Sequence, residues 1–512
     1  MRACPITEQT QARRSPAPGV RGVAAALASA ALLWASFPPL DLGWLAWVAL
    51  VPLLAALGGC ARARQAFALA YLFGVAHYLA VIPWIGATVA LWSGSPAGWV
   101  TWPLLSAIKG LWYGAAGAGL WLILRRRRDW AAIGAGAALY TLMEWARTQG
   151  SVAMPWASLG ATQYRALPVV QVAAVTGGIG VAFLLAATNL GLHAAISARC
   201  PRPLALPGLL VSAALCYGAM ALLRPPAGPP VRICVMQPNI ASARELVRDP
   251  AADFRLMRRM ADDAARERPD LVVWPESGSP GEALNDRAIG DGLAGMARRL
   301  GAPMLIGTNY SDADGGDRNS AVLFHPDGSP PERYDKQSLV PFGEWIPARR
   351  LLQPFAGTFQ FYERDVVAGK PQPPLDRRGR KVGVLICFES VFPLLARERA
   401  AMGAETLALL TNDGWAGPSA APAQHLAMTV MRAVETRRPV AAAALTGVSA
   451  VIQPTGAYEA LPPDRVGTLT ADAATGGGIT PYVRFGDWFA GLCTLLVAAY
   501  GLWRRPWRYS DQ

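Results

Sequence analysis

The chain has 512 residues, 53% of them apolar and only 16% charged, with a formal charge of +13. Soluble proteins carry about a quarter charged residues, and the mean hydropathy here is +0.25, so a disordered chain and a collagen are excluded and an ordinary soluble enzyme is disfavoured. Seven cysteines in this length exclude a disulfide scaffold, and the +13 then points to nucleic acid, an anionic membrane surface or membrane topology.

In chain order, apolar runs occupy 22–37, 43–59, 67–92, 99–124, 131–146, 169–197, 203–222 and 485–503. A helix crosses a bilayer with about 20 mostly apolar residues, and most of these runs meet that length. The fifth is short and carries Glu144 near its end. The first is not a cleaved leader, because another run follows almost at once. Basic residues mark alternate connections: Arg2, Arg13, Arg14 and Arg21, then Arg62 and Arg64, then Arg125 to Arg128, then Arg199 and Arg202, then Arg504, Arg505 and Arg508. The connections between them are poor in basic residues. By the positive-inside rule this predicts eight spans with both termini cytoplasmic. The fifth span is needed to keep the alternation.

Residues 225–484 hold no spanning run and lie on the far side. They carry 29 basic and 29 acidic side chains, so the +13 resides wholly in the membrane part. This argues against a nucleic-acid partner. The chain divides into seven spans in 1–224, an extramembrane domain in 225–484, and an eighth span with a tail in 485–512. Arg224–Pro230 reads as a linker and Lys370–Arg380 as a surface loop.

Within the domain, short β-branched runs alternate with helical stretches. Strands are predicted at Val231–Met236, Leu271–Trp274, Met304–Thr308, Ser320–His325, Lys381–Cys387, Thr406–Leu410, Val440–Leu445 and Ala450–Gln453. Helices are predicted at Glu245–Arg266, Ala288–Leu300, Phe392–Ala401 and Ala423–Thr436. This alternation predicts an α/β layered fold, with the chemistry where strands end.

Three such ends or loops carry reactive groups: Trp274-Pro275-Glu276, Tyr334-Asp335-Lys336 with the following Pro341-Phe342-Gly343-Glu344, and Ile386-Cys387-Phe388-Glu389. Cys387 follows a buried strand and precedes a helix, an arrangement like a nucleophile elbow. Only Cys234 and Cys387, His325 and His425 lie in the domain, and they are too scattered for a zinc site. Neither histidine has a protease context. No metal or cofactor is expected.

These motifs resemble the carbon–nitrogen hydrolase (nitrilase) superfamily. Further matching stretches are Leu410-Thr411-Asn412-Asp413-Gly414-Trp415, Arg432-Ala433-Val434-Glu435 and Gly447-Val448-Ser449-Ala450. A nitrilase-like domain with seven spans before it and one after resembles, more narrowly, the apolipoprotein N-acyltransferases of the bacterial inner membrane. The resemblance implies an αββα sandwich on the periplasmic side and a Glu276–Lys336–Cys387 triad. It implies a phospholipid acyl donor, a diacylglyceryl-modified apolipoprotein acceptor and a thioester on Cys387. Glu344, Phe388 and Glu389 would support the triad. Trp345, Trp415 and Trp156 would meet substrate, with Gln163 and Tyr164 near a lipid entry. Departures are Phe388 where tyrosine is frequent, Trp415-Ala416-Gly417 where Trp-Phe-Gly is common, and Ala153-Met154-Pro155-Trp156 where Gly-x-Pro-Trp is usual.

The aromatic stretch Phe342–Tyr362 reads either as a membrane-dipping lid or as domain core. Lys109, in mid-span, is a functional candidate by default, or else snorkels or pairs with Glu144. A membrane-tethered amidase would use the same triad, but a tether needs one span, not eight. A transporter would show paired intramembrane charges and internal symmetry, which this sequence lacks.

Overall fold

The computed structural model describes residues 19–126, 129–224, 226, 228–240, 249–347, 349–352 and 365–503. The first half is helical: α1 (Val20–Ala35), α2 (Val51–Gly58), α3 (Ala63–Val81), α4 (Pro83–Ser93), α5 (Thr101–Arg126), α6 (Trp130–Ala146), α7 (Gly178–Ala198) and α8 (Ala205–Leu223). Among the described residues, three helices, Pro96–Arg125, Gly178–Ala198 and Arg202–Leu223, are long and apolar enough to cross a membrane. The pair α3 and α4 makes a fourth if taken as one bent span, with a bend of 54°. Pro83 lacks an N–H and clashes with the preceding turn, which explains the break.

The expected runs therefore differ in their continuity. Residues 43–59 form a 3₁₀ turn (Gly43–Trp47) and the separate α2, not one helix. Residues 169–197 begin as two single turns, Leu167–Val170 and Ala173–Thr176, and become continuous only after Gly177, whose φ is +72°. Hydropathy registers apolar content and is blind to these breaks. Small residues let the bundle close up. Gly110, Gly114 and Gly117 of α5 lie against Val75, Phe67 and Ala70 of α3, and a Cβ on Gly117 would stand 2.1 Å from that of Ala70. By contrast only 17% of the Arg202–Leu223 span is buried. Its Leu209, Met220 and Leu223 point outward, as lipid-facing residues would.

The second half is a four-layer sandwich. One sheet has the order β12-β1-β2-β3-β4-β5 and the other β11-β10-β9-β8-β7-β6. The first contains β1 (Gly228–Gln237), β2 (Leu271–Val273), β3 (Met304–Ser311), β4 (Asp317–Phe324), β5 (Glu332–Asp335) and β12 (Gly467–Thr475). The second contains β6 (Leu375–Arg377), β7 (Arg380–Ile386), β8 (Thr406–Thr411), β9 (Val440–Ala444), β10 (Ala450–Ile452) and β11 (Tyr458–Ala460). Alternation sorts the side chains. Val231, Ile233 and Val235 face Val382, Val384 and Ile386 across the inner core. Cys234 and Met236 point the other way, onto α9 (Pro250–Arg266) and α10 (Arg287–Leu300). Leu407 and Leu409 likewise meet α11 (Pro393–Ala401) and α12 (Ala421–Thr436).

All eight expected strands are present with shifted ends, and β5, β6, β11 and β12 are additional. Lys370–Arg380 is not all surface loop: Leu375 and Arg377 are buried, and Arg377 Nη1 donates to the Asp270 carbonyl at 3.0 Å. The helix expected from Glu245 begins at Pro250, with 241–248 outside the described residues.

The sandwich sits on the bundle through α12. Trp156 Nε1 donates to Gln424 Oε1 at 2.7 Å. Gln424 Nε2 in turn donates to the carbonyls of Pro38 and Val81. Met428, Met431 and Val434 join the apolar core of the helices. The last described helix, α13 (Trp488–Trp503), returns to the bundle against α6.

The close α3–α5 contact predicts that Gly117→Val destabilises the bundle by about 1–3 kcal/mol, since the added atoms have nowhere to go. A thermal melt in detergent should show a lowered midpoint; an unchanged midpoint would contradict this packing.

Candidate active site

Four strand ends converge. Glu276 follows β2, and its loop lies directly on β3: a Cβ at Gly307 would be 2.6 Å from Glu276 Cα, so only glycine fits beneath it. Lys336 follows β5, and its N–H donates to the Asn319 carbonyl at 2.9 Å, continuing the β4–β5 pairing by one residue. Cys387 follows β7 with φ +51° and opens a short 3₁₀ turn, Cys387–Val391. A non-glycine residue in this region is uncommon and is held there by its surroundings. Asn412 follows β8.

Their side chains form one enclosed cluster. Lys336 Nζ lies 2.8 Å from Glu344 Oε1 and 3.4 Å from Glu276 Oε1. Asn319 Nδ2 donates to both carboxylates, at 2.7 Å to Glu276 and 3.1 Å to Glu344. Glu276 Oε2 accepts the Asn412 N–H at 3.0 Å. Glu344 is returned to Lys336 by a tight turn, in which the Val340 N–H donates to Glu344 Oε2 and the Glu344 N–H to the Val340 carbonyl.

Burial sets the electrostatics. It pushes the Cys387 thiol well above the usual cysteine value, and the Glu276 charge adds to this; Lys336 opposes it, Asp413 adds to it, and the Thr411 hydroxyl lowers it a little. Burial works against the Lys336 ammonium too, but the Glu344 and Glu276 carboxylates outweigh it and hold the lysine well above its ordinary value. The resting pair is thus a neutral thiol beside a charged ammonium, with carboxylates within reach.

Glu389 belongs to the scaffold around this cluster. It is fully buried and accepts hydrogen bonds from the Gln337 and Ser338 N–H groups at 2.7 and 3.0 Å, and from the Ile386 N–H at 2.8 Å. Tyr334 Oη donates to it at 2.9 Å and accepts from Arg399 Nη2. Burial raises the Glu389 pKa, and the three backbone donors counter that. One carboxylate thereby ties the loop after Lys336 to the turn carrying Cys387.

The remaining candidates are spread along the seam with the bundle. Phe388 is half-buried and edge-on to Phe392, their centroids 5.2 Å apart. Trp415 is half-buried, 5.0 Å from Trp84, with its carbonyl accepting from Thr88 Oγ1. Trp156 is 1% exposed, enclosed by Trp84, Gln424 and His425. Gln163 is bonded to Trp47 and Gly43, and Tyr164 to Asp41; both are buried. Trp156 and Tyr164 join the bundle to the sandwich, through Gln424 and Tyr458, while Gln163 is bonded within the helical half. Trp345 is half-buried, its carbonyl accepting the Phe342 N–H; residues 348 and 353–362 of the aromatic stretch lie outside the described residues. Lys109 donates to the Met154 carbonyl at 3.4 Å, whereas Glu144 pairs with Arg147 at 2.7 Å, which corrects the Lys109–Glu144 alternative.

Asn319 was not among the sequence candidates, and no motif marks it. Only the strand register places it opposite Lys336. Asp413 lies in a family-like stretch and His425 on a predicted helix, and sequence alone assigns neither a role. They form a chain with Ser390 directly behind Cys387.

A cavity of about 250 Å³ lies along the seam, lined by Ile179, Val391, Phe392, Met428 and Met431 among others. It reaches Ser338 and Val391, close in sequence to Lys336 and Cys387, while the clustered side chains themselves do not line it.

Two family models match the chain. Residues 29–191 match the apolipoprotein N-acyltransferase N-terminal domain, and residues 232–476 match the carbon–nitrogen hydrolase domain. A relative from Geobacter metallireducens named apolipoprotein N-acyltransferase is 34% identical, covering 94% of this chain and 95% of its own. Another of that name from Gloeobacter violaceus is 32% identical, covering 96% and 94%. Among solved structures, a variant of a Nesterenkonia amidase from the nitrilase superfamily aligns at 22% identity with a TM-score of 0.39, covering 52% of this chain and 98% of its own. Similar to its relatives from end to end, the chain belongs to the apolipoprotein N-acyltransferase family.

Proposed function

We propose that the chain transfers a fatty acyl group from a membrane phospholipid to the N-terminal amine of a diacylglyceryl-modified apolipoprotein, through a thioester on Cys387. This is the last step of bacterial lipoprotein maturation. The observation that carries the reading is the convergence of Glu276, Lys336 and Cys387 in one water-poor cluster, beside a bundle of apolar helices, in a chain of this family.

In the first half-reaction Glu276 takes the Cys387 proton as the thiol attacks the ester carbonyl. A C–S bond forms, the C–O bond breaks, and Glu276 returns the proton to the departing lysophospholipid oxygen. Lys336 and the N–H of Phe388 face the charge that develops on the carbonyl oxygen. In the second half-reaction the amine attacks the thioester, its proton passes to Glu276, the C–N bond replaces the C–S bond, and Glu276 returns the proton to the leaving Cys387 sulfur. Glu344 and Asn319 keep Lys336 and Glu276 aligned. Trp345 and Trp415 flank the approach.

The same reading places 1–224 and 485–512 in the inner membrane as eight spans, with both termini cytoplasmic and 225–484 periplasmic. The alternation of basic connections and the outward apolar face of the Arg202–Leu223 helix support it. An acyl tail leaving the bilayer loses about 0.8 kcal/mol per CH₂. A cleft seated on the helices, with the seam cavity below it, avoids that loss.

Purified protein incubated with phospholipid alone should gain the mass of one acyl chain on Cys387, released by hydroxylamine, and pass it to an added diacylglyceryl-cysteine peptide. Cys387→Ala should abolish both. Steady release of free fatty acid without acceptor would instead identify a hydrolase.

The thiol's elevated pKa predicts slow alkylation by iodoacetamide through neutral pH, rising only above the usual cysteine range of about 8.5. Glu276 disfavours the thiolate and Lys336 favours it. Glu276→Gln should therefore shift the alkylation profile to lower pH and Lys336→Gln to higher pH, while each lowers acyl transfer at least 100-fold. Shifts in the same direction would contradict the assigned electrostatics.

A further inference from the structure

Behind Cys387 lies a second polar chain that the acyl-transfer scheme leaves unused. Ser390 Oγ is 3.2 Å from the Cys387 carbonyl oxygen and 2.7 Å from His425 Nε2. His425 Nδ1 is 3.0 Å from Asp413 Oδ1, which also accepts from the Thr411 hydroxyl at 3.0 Å. Ser390, His425, Asp413 and Thr411 are all buried. Thr411 also lies by the nucleophile, its hydroxyl being among the groups that lower the Cys387 pKa.

Two proton arrangements fit this chain. A serine hydroxyl has one proton, and a carbonyl oxygen only accepts. For Ser390 to donate to the Cys387 carbonyl, its oxygen must accept from His425 Nε2–H. An ionised Asp413 also only accepts, so His425 Nδ1 carries a proton as well. The imidazole is then protonated on both nitrogens, with Asp413 as its counter-charge. If His425 were neutral, with its proton on Nδ1 toward Asp413, the Ser390 proton would turn to Nε2. The Cys387 carbonyl would then face a lone pair at 3.2 Å in place of a donor. Other charged groups around His425 are Glu276 and Lys336 across Cys387, Glu389 on the elbow, the Arg432–Glu435 pair further along α12, and Arg147 beyond Trp156.

We propose that His425 is a positioning residue for the acyl-transfer step: as an imidazolium between Asp413 and Ser390, it points the Ser390 hydroxyl at the Cys387 carbonyl and so holds the left-handed elbow that aims the thiol. The proposal rests on Cys387 being the nucleophile. A misaimed nucleophile costs rate, about 100-fold for displacements near 1 Å, and leaves phospholipid binding intact.

Glutamine and asparagine separate the two ends of the ring, because a glutamine amide nitrogen reaches the Nε2 position and an asparagine amide nitrogen the Nδ1 position. In the full-length enzyme, His425→Gln keeps a donor for Ser390 and His425→Asn keeps only the contact with Asp413. The rate constant for thioester formation on Cys387 should fall about 10- to 100-fold in His425→Asn and in Ser390→Ala. It should stay within about fivefold in His425→Gln, with the phospholipid KM within about twofold throughout. The double variant His425→Asn/Ser390→Ala should be no slower than either single one. Equal impairment of the Gln and Asn variants, or wild-type rates in Asn and Ala, would overturn the proposal. Should the Asn variant fail to fold, ¹⁵N-histidine spectra of the wild-type protein in detergent decide the matter. The His425 signals, assigned by their loss in His425→Gln, must show both ring nitrogens protonated at pH 7, and a neutral ring overturns the proposal. Transfer surviving in Cys387→Ala would instead remove the underlying mechanism, a result distinguishable from either outcome at His425.

Discussion

The Lys336 ammonium is 1% exposed and lies between two carboxylates that are themselves buried. Removing a charge from water costs several kcal/mol unless it is paired and its donors are used. Much of the surrounding architecture answers that requirement. The turn at 340–345 exists to bring Glu344 back over the lysine. Asn319 bridges the two carboxylates so that neither is left with a bare oxygen beside the other. The absence of a side chain at Gly307 lets the Glu276 loop settle close enough to join them. Glu389, outside the cluster, makes its position reproducible by tying the lysine loop to the cysteine turn. Losing any one of these would leave a buried charge short of a partner, so the arrangement tolerates little slack.

The same elements that keep the cluster dry also join it to the bundle. Helix α12 does both, and adjacent residues on it divide the work. Gln424 reaches the helices through Trp156, Pro38 and Val81, while His425 faces Asp413 and Ser390 in the site. Two turns on, Arg432 and Glu435 pair with each other, and Glu435 accepts the N–H of Gly178 at the start of α7. On another part of the seam, α4 contacts the loop after β8 through Thr88 and Trp84. That loop also supplies the Asn412 N–H to Glu276. The helices are thus bonded to the backbone that shapes the candidate site, at Trp415, three residues from Asn412, and at Gln424, next to His425.

Much of this was legible in the sequence. The β-branched runs ending at Pro275-Glu276 and at Cys387 marked strand ends because central strands buried on both faces are apolar throughout. The less visible parts have physical reasons. The Gly467–Thr475 strand has no apolar run; it is a strand because β1 pairs with it along almost its full length. Leu375–Arg377 is hidden among prolines and arginines, yet its hairpin with β7 buries a leucine and an arginine. Asn319 becomes a site residue only once register sets it beside Lys336. In the helical half, hydropathy registered apolar content but not continuity. Glu144 made its segment look weak, and its partner Arg147, one turn on, accounts for a charge at that depth.

The first and last strands of the sandwich are hydrogen-bonded neighbours, with Gly228 opposite Thr475. The preceding helix ends at Leu223, and a short helix, Pro481–Phe485, leads from the last strand to the helix that begins at Trp488. Entry and exit therefore lie side by side, as in a domain spliced into a loop of another fold. A body hung on one strand can swivel; one hung on two adjacent strands that continue into separate helices resists twisting about either. It also closes late in synthesis, because β1 must wait more than two hundred residues for β12. This sheet can be completed only after residue 475 has been made, so the geometry of one strand pair sets the order in which the sandwich is assembled.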